Sequence, residues 1–305
     1  MKILCVDVGG TSIKHGIIDE KLNITDKGNF NPDGSTLETY VESLGSLYDQ
    51  YKDQVEGMAF SMPGIIHPEN GYFYSGGAYD RIVHEINLKE ILEKRIPLPM
   101  SFENDAKAAG YAELGYGALK DYNDAILLTL GWAIGGCLIY NHKVVYGKHY
   151  SAGEVSFVNA DYHYTDFAHT FAGINGSRGL LKKVQDKLET EEKYTGKEIF
   201  EMIKNGNEKV KEAFHEFCRE FAIQVYNLNI TFDPEVFAIG GGISSQKLLY
   251  EELDKCYEEL EKEMFLFVRR PIIIPCVFGN DANMIGAYHK FMLQHGKNQE
   301  KPVII

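Results

Sequence analysis

The first residues that could do chemistry form a short acidic and glycine-rich segment near the start of the chain. A strand-like apolar run over residues 3–6 leads into Asp7, which is followed by Gly9, Gly10 and Thr11. Glycines let backbone N–H groups approach a phosphate closely, while a carboxylate can hold a metal ion or its water shell. An ordinary hairpin turn uses the same residue types, because glycine there supplies a positive φ. The segment alone leaves a phosphate site and a structural turn equally open.

A second candidate is a carboxylate at a predicted strand-to-helix junction. Residues 97–102 have the pattern of a strand, and a helix is predicted to begin near Asn104 and Asp105 and to end near Tyr116. The N-terminus of a helix favours an anion, so Asp105 is suited to accept a hydroxyl proton as a general base near neutral pH. The alternative is that Asn104 or Asp105 only caps the helix.

Two glycine clusters follow predicted strands in the second half of the chain. A strand-like run over 125–130 precedes a predicted glycine turn over 131–136, and a run over 236–239 ends in three consecutive glycines. Open parallel sheets bind ligands beyond the carboxyl ends of their strands, so the four segments together predict a nucleotide cleft. The glycines concerned are Gly131, Gly135, Gly136, Gly240, Gly241 and Gly242.

The predicted elements place these segments at strand and helix ends. An apolar stripe at helical spacing from Val210 to Leu228 indicates core packing of a long helix. A unit of strand, glycine turn and strand recurs near residues 10 and 133, which indicates two related halves. Strands are predicted over 2–8, 12–19, 55–61, 97–102, 125–130, 137–140, 236–239 and 272–277, and helices over about 35–53, 245–262 and 281–294.

Length, composition and charge restrict the class of protein. For 305 residues we expect two domains, over 1–116 and 117–287, with a C-terminal helix near 288–305 packing back on the first. The balance of 31 basic and 44 acidic residues, without a basic run, argues against a nucleic-acid partner. Five widely spaced cysteines indicate buried free thiols, and no apolar run approaches membrane-spanning length. These features predict a cytoplasmic protein without a membrane partner.

In their order and spacing, the four segments resemble those of the ROK family of repressors, uncharacterised reading frames and sugar kinases. The resemblance extends from the first strand to the segment Gly-Asn-Asp-Ala-Asn-Met-Ile-Gly-Ala at residues 279–287. It implies an α/β, two-lobed ribonuclease-H-like fold of the actin and hexokinase type, with an interlobe cleft. It also implies a homodimeric sugar kinase that uses ATP and Mg²⁺.

The resemblance gives each candidate residue an expected role. Asp105 matches the catalytic base, and Asp7 is expected near Mg²⁺, through water or ATP. The implied sugar-binding residues are Asn104, Glu154, Gly64, Gly77 and Phe157, although Glu154 could also be an exposed loop acid. The implied ATP and phosphate contacts are Asp7, Gly9, Gly10, Thr11, Gly131, Gly135, Gly136, Gly240, Gly241 and Gly242.

The chain departs from the family pattern at three points. Phe157 occupies the place of a histidine that contacts sugar and helps to bind a structural zinc. The following segment, 159–176, has no cysteine, and two histidines cannot replace a three-cysteine and one-histidine set, so no structural zinc is expected. Trp132 stands in the second phosphate loop, where the family has a threonine. Phe157 offers a stacking face and no hydrogen bond, which suits a second sugar ring, an aglycone or an acetamido group.

These inferences predict a kinase that transfers the γ-phosphoryl group of ATP to a sugar hydroxyl, at C6 of a hexose, an N-acetylhexosamine or a β-glucoside. Phosphoryl transfer needs positioning, charge neutralisation and one carboxylate to accept the hydroxyl proton. An alternative is a catalytically weak or inactive sugar-binding or sensor protein, because Trp132 and Phe157 depart from the family pattern. A DNA-binding repressor is disfavoured by the net charge of −13.

Overall fold

The computed structural model describes residues 1–10, 12–263 and 268–296 and divides the chain into two units, each built from separate segments. The first unit contains Met1–Asp121, His142–Ala152 and the residues from 280 onward. The second unit contains Tyr122–Asn141 and Gly153–Gly279.

The helices and strands follow one another along the described residues with these bounds. The strands are β1 (Ile3–Val8), β2 (Ile13–Ile18), β3 (Ile24–Phe30), β4 (Gly57–Met62), β5 (Ile65–His67), β6 (Tyr72–Ser75), β7 (Ile86–Asn87), β8 (Met100–Asn104), β9 (Ala125–Leu130), β10 (Ile134–Tyr140), β11 (Lys143–Val144), β12 (Val236–Gly241) and β13 (Ile273–Pro275). The α-helices are α1 (Leu37–Tyr51), α2 (Leu88–Glu93), α3 (Asp105–Tyr116), α4 (Phe171–Asn175), α5 (Ser177–Leu188), α6 (Gly196–Lys204), α7 (Glu208–Phe232), α8 (Lys247–Glu263) and α9 (Ala282–His295).

The main sheet of the first unit has the strand order β3-β2-β1-β4-β8. β1 and β2 are antiparallel, whereas β1, β4 and β8 run parallel. Every residue of β1 and β4 is buried, as expected for central strands with both faces covered. The parallel register places Asp7, Ser61 and Glu103 in one cross-strand row near the carboxyl edge, and Asn104 ends β8 one residue further on.

The second unit repeats this arrangement. Its strands β10, β9, β12 and β13 are neighbours in that order, with β9 antiparallel to β10 and parallel to β12. The pairing of β12 with β13 is also parallel. The predicted relation between two halves is therefore confirmed at the level of topology.

The core of the second unit lies between its sheet and a layer of helices. The apolar stripe of α7 packs into this core, and its members Val210, Phe214, Phe217, Phe221 and Val225 are at most 2% exposed. Helical spacing brings these side chains onto one face, and their burial removes that face from water. The predicted role of the stripe in core packing is confirmed.

Two strands extend further into the glycine segments than the sequence predicts. β10 begins at Ile134, so Gly135 and Gly136 are strand residues, and the prediction that they belong to a turn is wrong. β12 continues to Gly241, two residues beyond its predicted end. Ladder hydrogen bonds to β9 hold these glycines in strands, which outweighs the low strand preference of glycine.

The remaining expectations concern thiols, membranes and the C-terminal helix. None of the five cysteines, all of which lie among the described residues, forms a disulfide; four of them are buried and Cys276 is half-buried. Across the described residues, no helix combines the length and apolar character needed to cross a membrane. The helix expected near 288–305 corresponds to α9, which belongs to the first unit, and residues 297–305 lie outside the described residues.

Candidate functional site

Asp7 is a buried carboxylate held by side chains from other elements. Its Oδ1 accepts hydrogen bonds from Ser61 Oγ at 3.2 Å and from Asn283 Nδ2 at 2.9 Å. Lys14 Nζ lies 3.8 Å from its Oδ2. These contacts hold the Asp7 carboxylate in a fixed orientation at the carboxyl edge of the sheet.

The glycine segment after Asp7 forms a tight turn, and its predicted phosphate contact stays a prediction. The Gly9 N–H donates to the Ser12 carbonyl at 3.0 Å, and the Gly9 carbonyl accepts from Tyr79 Oη at 3.1 Å. The Gly9 amide therefore closes a tight turn, whereas Gly10 is exposed at the tip of that turn. Thr11, which was predicted to contact phosphate, lies outside the described residues.

The strand-to-helix junction separates the roles of Asn104 and Asp105. Asn104 is the N-cap of α3, since its Oδ1 accepts from the Lys107 N–H at 3.1 Å. Its Nδ2 donates to the Gly64 carbonyl at 3.0 Å. Asp105 is the first helical residue, half-buried, and its Oδ1 accepts from the Ala106 N–H at 2.8 Å. Asn104 is therefore the N-cap residue, and the Asp105 carboxylate accepts from one further amide of the first helical turn.

The structure brings two predicted sugar-binding glycines together beside this junction. Gly64 follows β4 and Gly77 follows β6 in the chain, yet a Cβ built on Gly77 would lie 3.2 Å from the Gly64 nitrogen. The Asn104 amide reaches the same loop through the Gly64 carbonyl. Asn104, Gly64 and Gly77 therefore form one cluster within the first unit.

The glycine segments of the second unit meet at the end of β9. The Gly131 N–H donates to the Ala133 carbonyl at 3.0 Å, which closes the turn between β9 and β10. Gly241 has a φ of +93°, and a Cβ there would lie 2.2 Å from the Leu130 carbonyl oxygen. The Gly242 N–H donates to the same carbonyl at 3.2 Å. Only glycine fits this close approach of two backbones, so Gly241 and Gly242 pack directly against the end of β9.

A cavity of about 240 Å³ adjoins this meeting point. It is lined by Gly131 and by Ser177 and Arg178 at the N-terminus of α5, and apolar side chains line much of the rest. The cap residue of α5 is Gly176, which has no side chain, and the Ser177 N–H donates to the Gly131 carbonyl at 2.9 Å, so the N-terminus of α5 lies against the Gly131 turn. Backbone amides and an arginine beside an apolar wall suit a nucleotide.

Glu154 and Phe157 lie in one short turn that directly follows Gly153. Glu154 is half-buried and precedes a 3-10 turn over Val155–Phe157. Phe157 is 68% exposed. A Cβ on Gly136 would lie 2.4 Å from the Gly153 carbonyl oxygen, so Gly136 lets this segment pack directly against β10. Glu154 and Phe157, which are the predicted polar and aromatic sugar contacts, thus lie in the same segment.

Trp132 is exposed and packed on its own neighbours. Its ring stacks on Phe167 with centroids 5.7 Å apart, and the Arg178 guanidinium lies 5.6 Å from the Trp132 ring centre. The exposed fraction of Trp132 is 62%. The indole therefore lies along the rim of the Gly131 turn and is not part of the packed core.

The donor set around Asp7 fits a water-bound Mg²⁺ better than a fully protein-bound ion. Among the residues that the structure describes, no three His, Cys, Asp or Glu side chains come together in a way that could hold a metal. Mg²⁺ keeps several waters and is usually bound by one or two carboxylates plus substrate phosphates. A single oriented Asp7 carboxylate satisfies that pattern, and the expected lack of a structural zinc stays a prediction.

Sequence reasoning missed the groups that orient Asp7. Asn283 contacts Asp7 from α9, 276 positions away along the chain. Lys14 was not selected, although it faces Asp7 in the register of β1 and β2. A signal existed for Asn283, because it lies in a polar segment at the start of a predicted helix. Which carboxylate that segment would reach depends on packing of α9 against the sheet.

Comparisons with known proteins agree over nearly the whole chain. A family model described as the ROK family matches residues 3–294. A beta-glucoside kinase of Listeria monocytogenes serovar 1/2a is 30% identical over 98% of this chain and 100% of its own length. An N-acetyl-D-glucosamine kinase of Vibrio atlanticus is 28% identical over 92% of this chain and 96% of its own. The structure of Lmo2764 from Listeria monocytogenes, described as a candidate N-acetylmannosamine kinase, superposes with a TM-score of 0.85 at 30% identity, covering 96% of this chain and 99% of that one.

Proposed function

The chain belongs to the ROK family and is a sugar kinase, and on that premise we propose that it transfers the γ-phosphoryl group of ATP to the C6 hydroxyl of a β-glucoside. The structural likeness also confirms the predicted α/β fold of the actin and hexokinase type. The observation that carries the catalytic part of the proposal is the position of the Asp105 carboxylate at the first residue of α3, directly after the N-cap residue Asn104.

Asp105 is proposed as the general base. The attacking hydroxyl must lose its proton as the bond to phosphorus forms, and a positioned carboxylate can accept that proton. Asp105 begins α3, where the helix dipole favours the ionised form of a carboxyl group. Asn104, Gly64 and Gly77 are proposed to hold the sugar ring through amide and backbone contacts in the same cluster.

The phosphate donor is proposed to be ATP. The exposed Gly10, the Gly131 turn and the triplet Gly240, Gly241 and Gly242 would contact phosphate and nucleoside through backbone groups, with Gly135 and Gly136 shaping the strand behind them. Mg²⁺ held near Asp7 through water would supply charge neutralisation on the phosphates. Gly9 contributes by closing the turn, because its amide is already used within it.

A β-glucoside is proposed as the acceptor because of Phe157. This ring is 68% exposed, follows Glu154 within four residues, and can offer its face to the ring or aglycone beyond the phosphorylated sugar. The family histidine that it replaces would hydrogen-bond a free sugar instead. The naming of a relative as a beta-glucoside kinase is in accord with this choice. The homodimer and the cytoplasmic location stay predictions from resemblance and composition.

A coupled assay of ADP release tests the acceptor. We expect turnover with ATP and Mg²⁺ on cellobiose and aryl β-glucosides, with kcat/KM about 5-fold or more above that on glucose, N-acetylglucosamine and N-acetylmannosamine, since burying one sugar face on an aromatic ring contributes roughly 1 kcal/mol or more. Identification of the product as the 6-phosphate by NMR would support the C6 hydroxyl. A preference for free glucose, or for either acetamido sugar, would contradict the proposed acceptor.

Replacing Phe157 with His is expected to reverse that preference. The imidazole can hydrogen-bond a free sugar and presents less apolar area, so KM for β-glucosides should rise several-fold and KM for glucose should fall. Phe157 is exposed, so the substitution should leave the thermal unfolding midpoint unchanged. Tyr162, 96% exposed in the same unit, gives a matched control as Tyr162→His, which should change neither KM.

A further inference from the structure

A buried polar cluster lies directly behind the proposed catalytic pair. Glu103 is 1% exposed, and its Oε1 accepts from the Asn104 N–H at 2.8 Å. Its Oε2 accepts a short hydrogen bond from the Tyr146 hydroxyl. Tyr146 is also fully buried and comes from the segment His142–Ala152 of the first unit. One carboxylate therefore joins the last peptide of β8 to a distant segment of the same unit.

Lys290 of α9 supplies the positive charge of this cluster. Its Nζ donates to the Tyr146 hydroxyl at 3.2 Å and lies 3.9 Å from Glu103 Oε2. The ammonium group also lies 5.3 Å from the ring centres of both Tyr111 and Tyr146. The Tyr111 and Tyr146 hydroxyls are 3.0 Å apart, so a second phenol completes the cluster. Glu69, more exposed, lies 3.7 Å from Lys290 at the edge.

Opposing effects act on the pKa of the Glu103 carboxyl. Burial raises the pKa of the Glu103 carboxyl, while Lys290, the Tyr146 hydroxyl, Lys107 and the Asn104 amide act to lower it. Burial and the neighbouring carboxyl raise the pKa of Tyr146 well above its usual value, so Tyr146 keeps its proton and donates. The cluster thus holds hydrogen bonds of fixed direction.

Stability alone is a weak explanation for this cluster. Removing two charges from water is costly, and buried ion pairs can often be replaced by apolar side chains without loss of stability. The cluster does orient the end of β8, because Glu103 accepts a hydrogen bond from the Asn104 N–H. Asn104 is also the residue that caps α3 and donates to the Gly64 carbonyl. The same helix α9 carries Asn283, which orients Asp7 in the cross-strand row of Asp7, Ser61 and Glu103.

We propose that Glu103, Tyr146 and Lys290 form a positioning cluster, which sets the orientation of Asn104 and Asp105 for phosphoryl transfer and does not touch the substrate. The inference rests on the proposed role of Asp105 as general base. A displacement of about 1 Å of a catalytic group can cost about 100-fold in rate, so loss of one member should lower kcat measurably.

The substitution Tyr146→Phe tests the cluster with little change of shape. It removes the hydroxyl that links Glu103 to Lys290 and keeps the ring. We expect kcat to fall about 10-fold or more at 25 °C, with KM for ATP unchanged and the circular dichroism spectrum of the folded protein retained. The control is Tyr40→Phe, because the Tyr40 hydroxyl is buried in the same unit without a hydrogen-bond partner among the described residues. Tyr40→Phe should keep the parent kcat.

Two substitutions at Glu103 separate the effect of the hydrogen bond to Asn104 from the effect of losing the whole side chain. Gln can still accept from the Asn104 N–H, whereas Ala cannot, so Glu103→Gln should retain at least several-fold more kcat than Glu103→Ala. If Tyr146→Phe and Tyr40→Phe have equal kcat values, the positioning role is wrong, even if Glu103→Ala fails to fold. The proposed base is tested separately: if Asp105→Asn keeps kcat within a few-fold of the parent value, the proposed role of Asp105 fails, whereas a kcat lowered about 100-fold or more in Asp105→Asn beside a fully active Tyr146→Phe overturns only the cluster.

Discussion

Replacing Asp105 with Asn is expected to lower kcat by about 10²–10⁴-fold, the usual contribution of a positioned general base. The amide has nearly the same shape but cannot take the proton of the sugar hydroxyl. KM for ATP should stay within a few-fold of the parent value, because the proposed nucleotide contacts lie on other segments. The measurement is steady-state ADP release with sugar and ATP each varied.

The fold should tolerate this change, since Asn104 and not Asp105 caps α3. A matched control exists in α7, which also begins with an acidic residue after an asparagine N-cap: Asn207 accepts from the Val210 N–H, and Glu208 follows it. Glu208→Gln is expected to change neither kcat nor KM. Asp105→Asn activity within a few-fold of the parent would show that another group accepts the proton, or that the chain transfers phosphoryl groups without a base.

The largest effect on stability is expected from Gly286→Ala. Gly286 lies where α9 crosses α3, and a Cβ there would lie 1.6 Å from the Ala108 carbonyl oxygen. Neither backbone can yield without moving a helix, so we expect a loss of about 3 kcal/mol or more in the free energy of unfolding. Because α9 also carries Asn283 and Lys290, kcat should fall together with stability. Urea unfolding followed by circular dichroism measures the first effect.

The control for that change is Gly34→Ala in an exposed loop of the same unit. A Cβ on Gly34 would meet its nearest atoms at 3.7 Å or more, which is ordinary van der Waals contact. Its urea midpoint should match that of the parent within error. Equal midpoints for Gly286→Ala and Gly34→Ala would mean that α3 and α9 do not approach as closely as described.

The described elements show where local patterning suffices. Strands with uninterrupted apolar runs, such as β1 and β9, and the stripe of α7 were predicted correctly because burial selects apolar residues at regular spacing. The extents of β10 and β12 were not, because glycine carries no strand signal and only pairing with β9 makes Gly136 and Gly241 part of these strands. The phosphate contact of Thr11 stays a prediction, because Thr11 lies outside the described residues.

The sequence by itself determined the family, the kinase chemistry and the candidate residues, because the type and order of Asp7, Asn104, Asp105 and the glycine segments are local properties of the chain. Only the tertiary structure decided which of two adjacent polar residues caps α3, and that a glutamate one position earlier is held by a tyrosine 43 positions away. The physical reason is that hydrogen-bond partners are fixed by packing between distant segments, on which spacing along one chain carries no information. Asn283 beside Asp7 and Lys290 beside Tyr146 became visible for the same reason, once α9 was placed against the sheet.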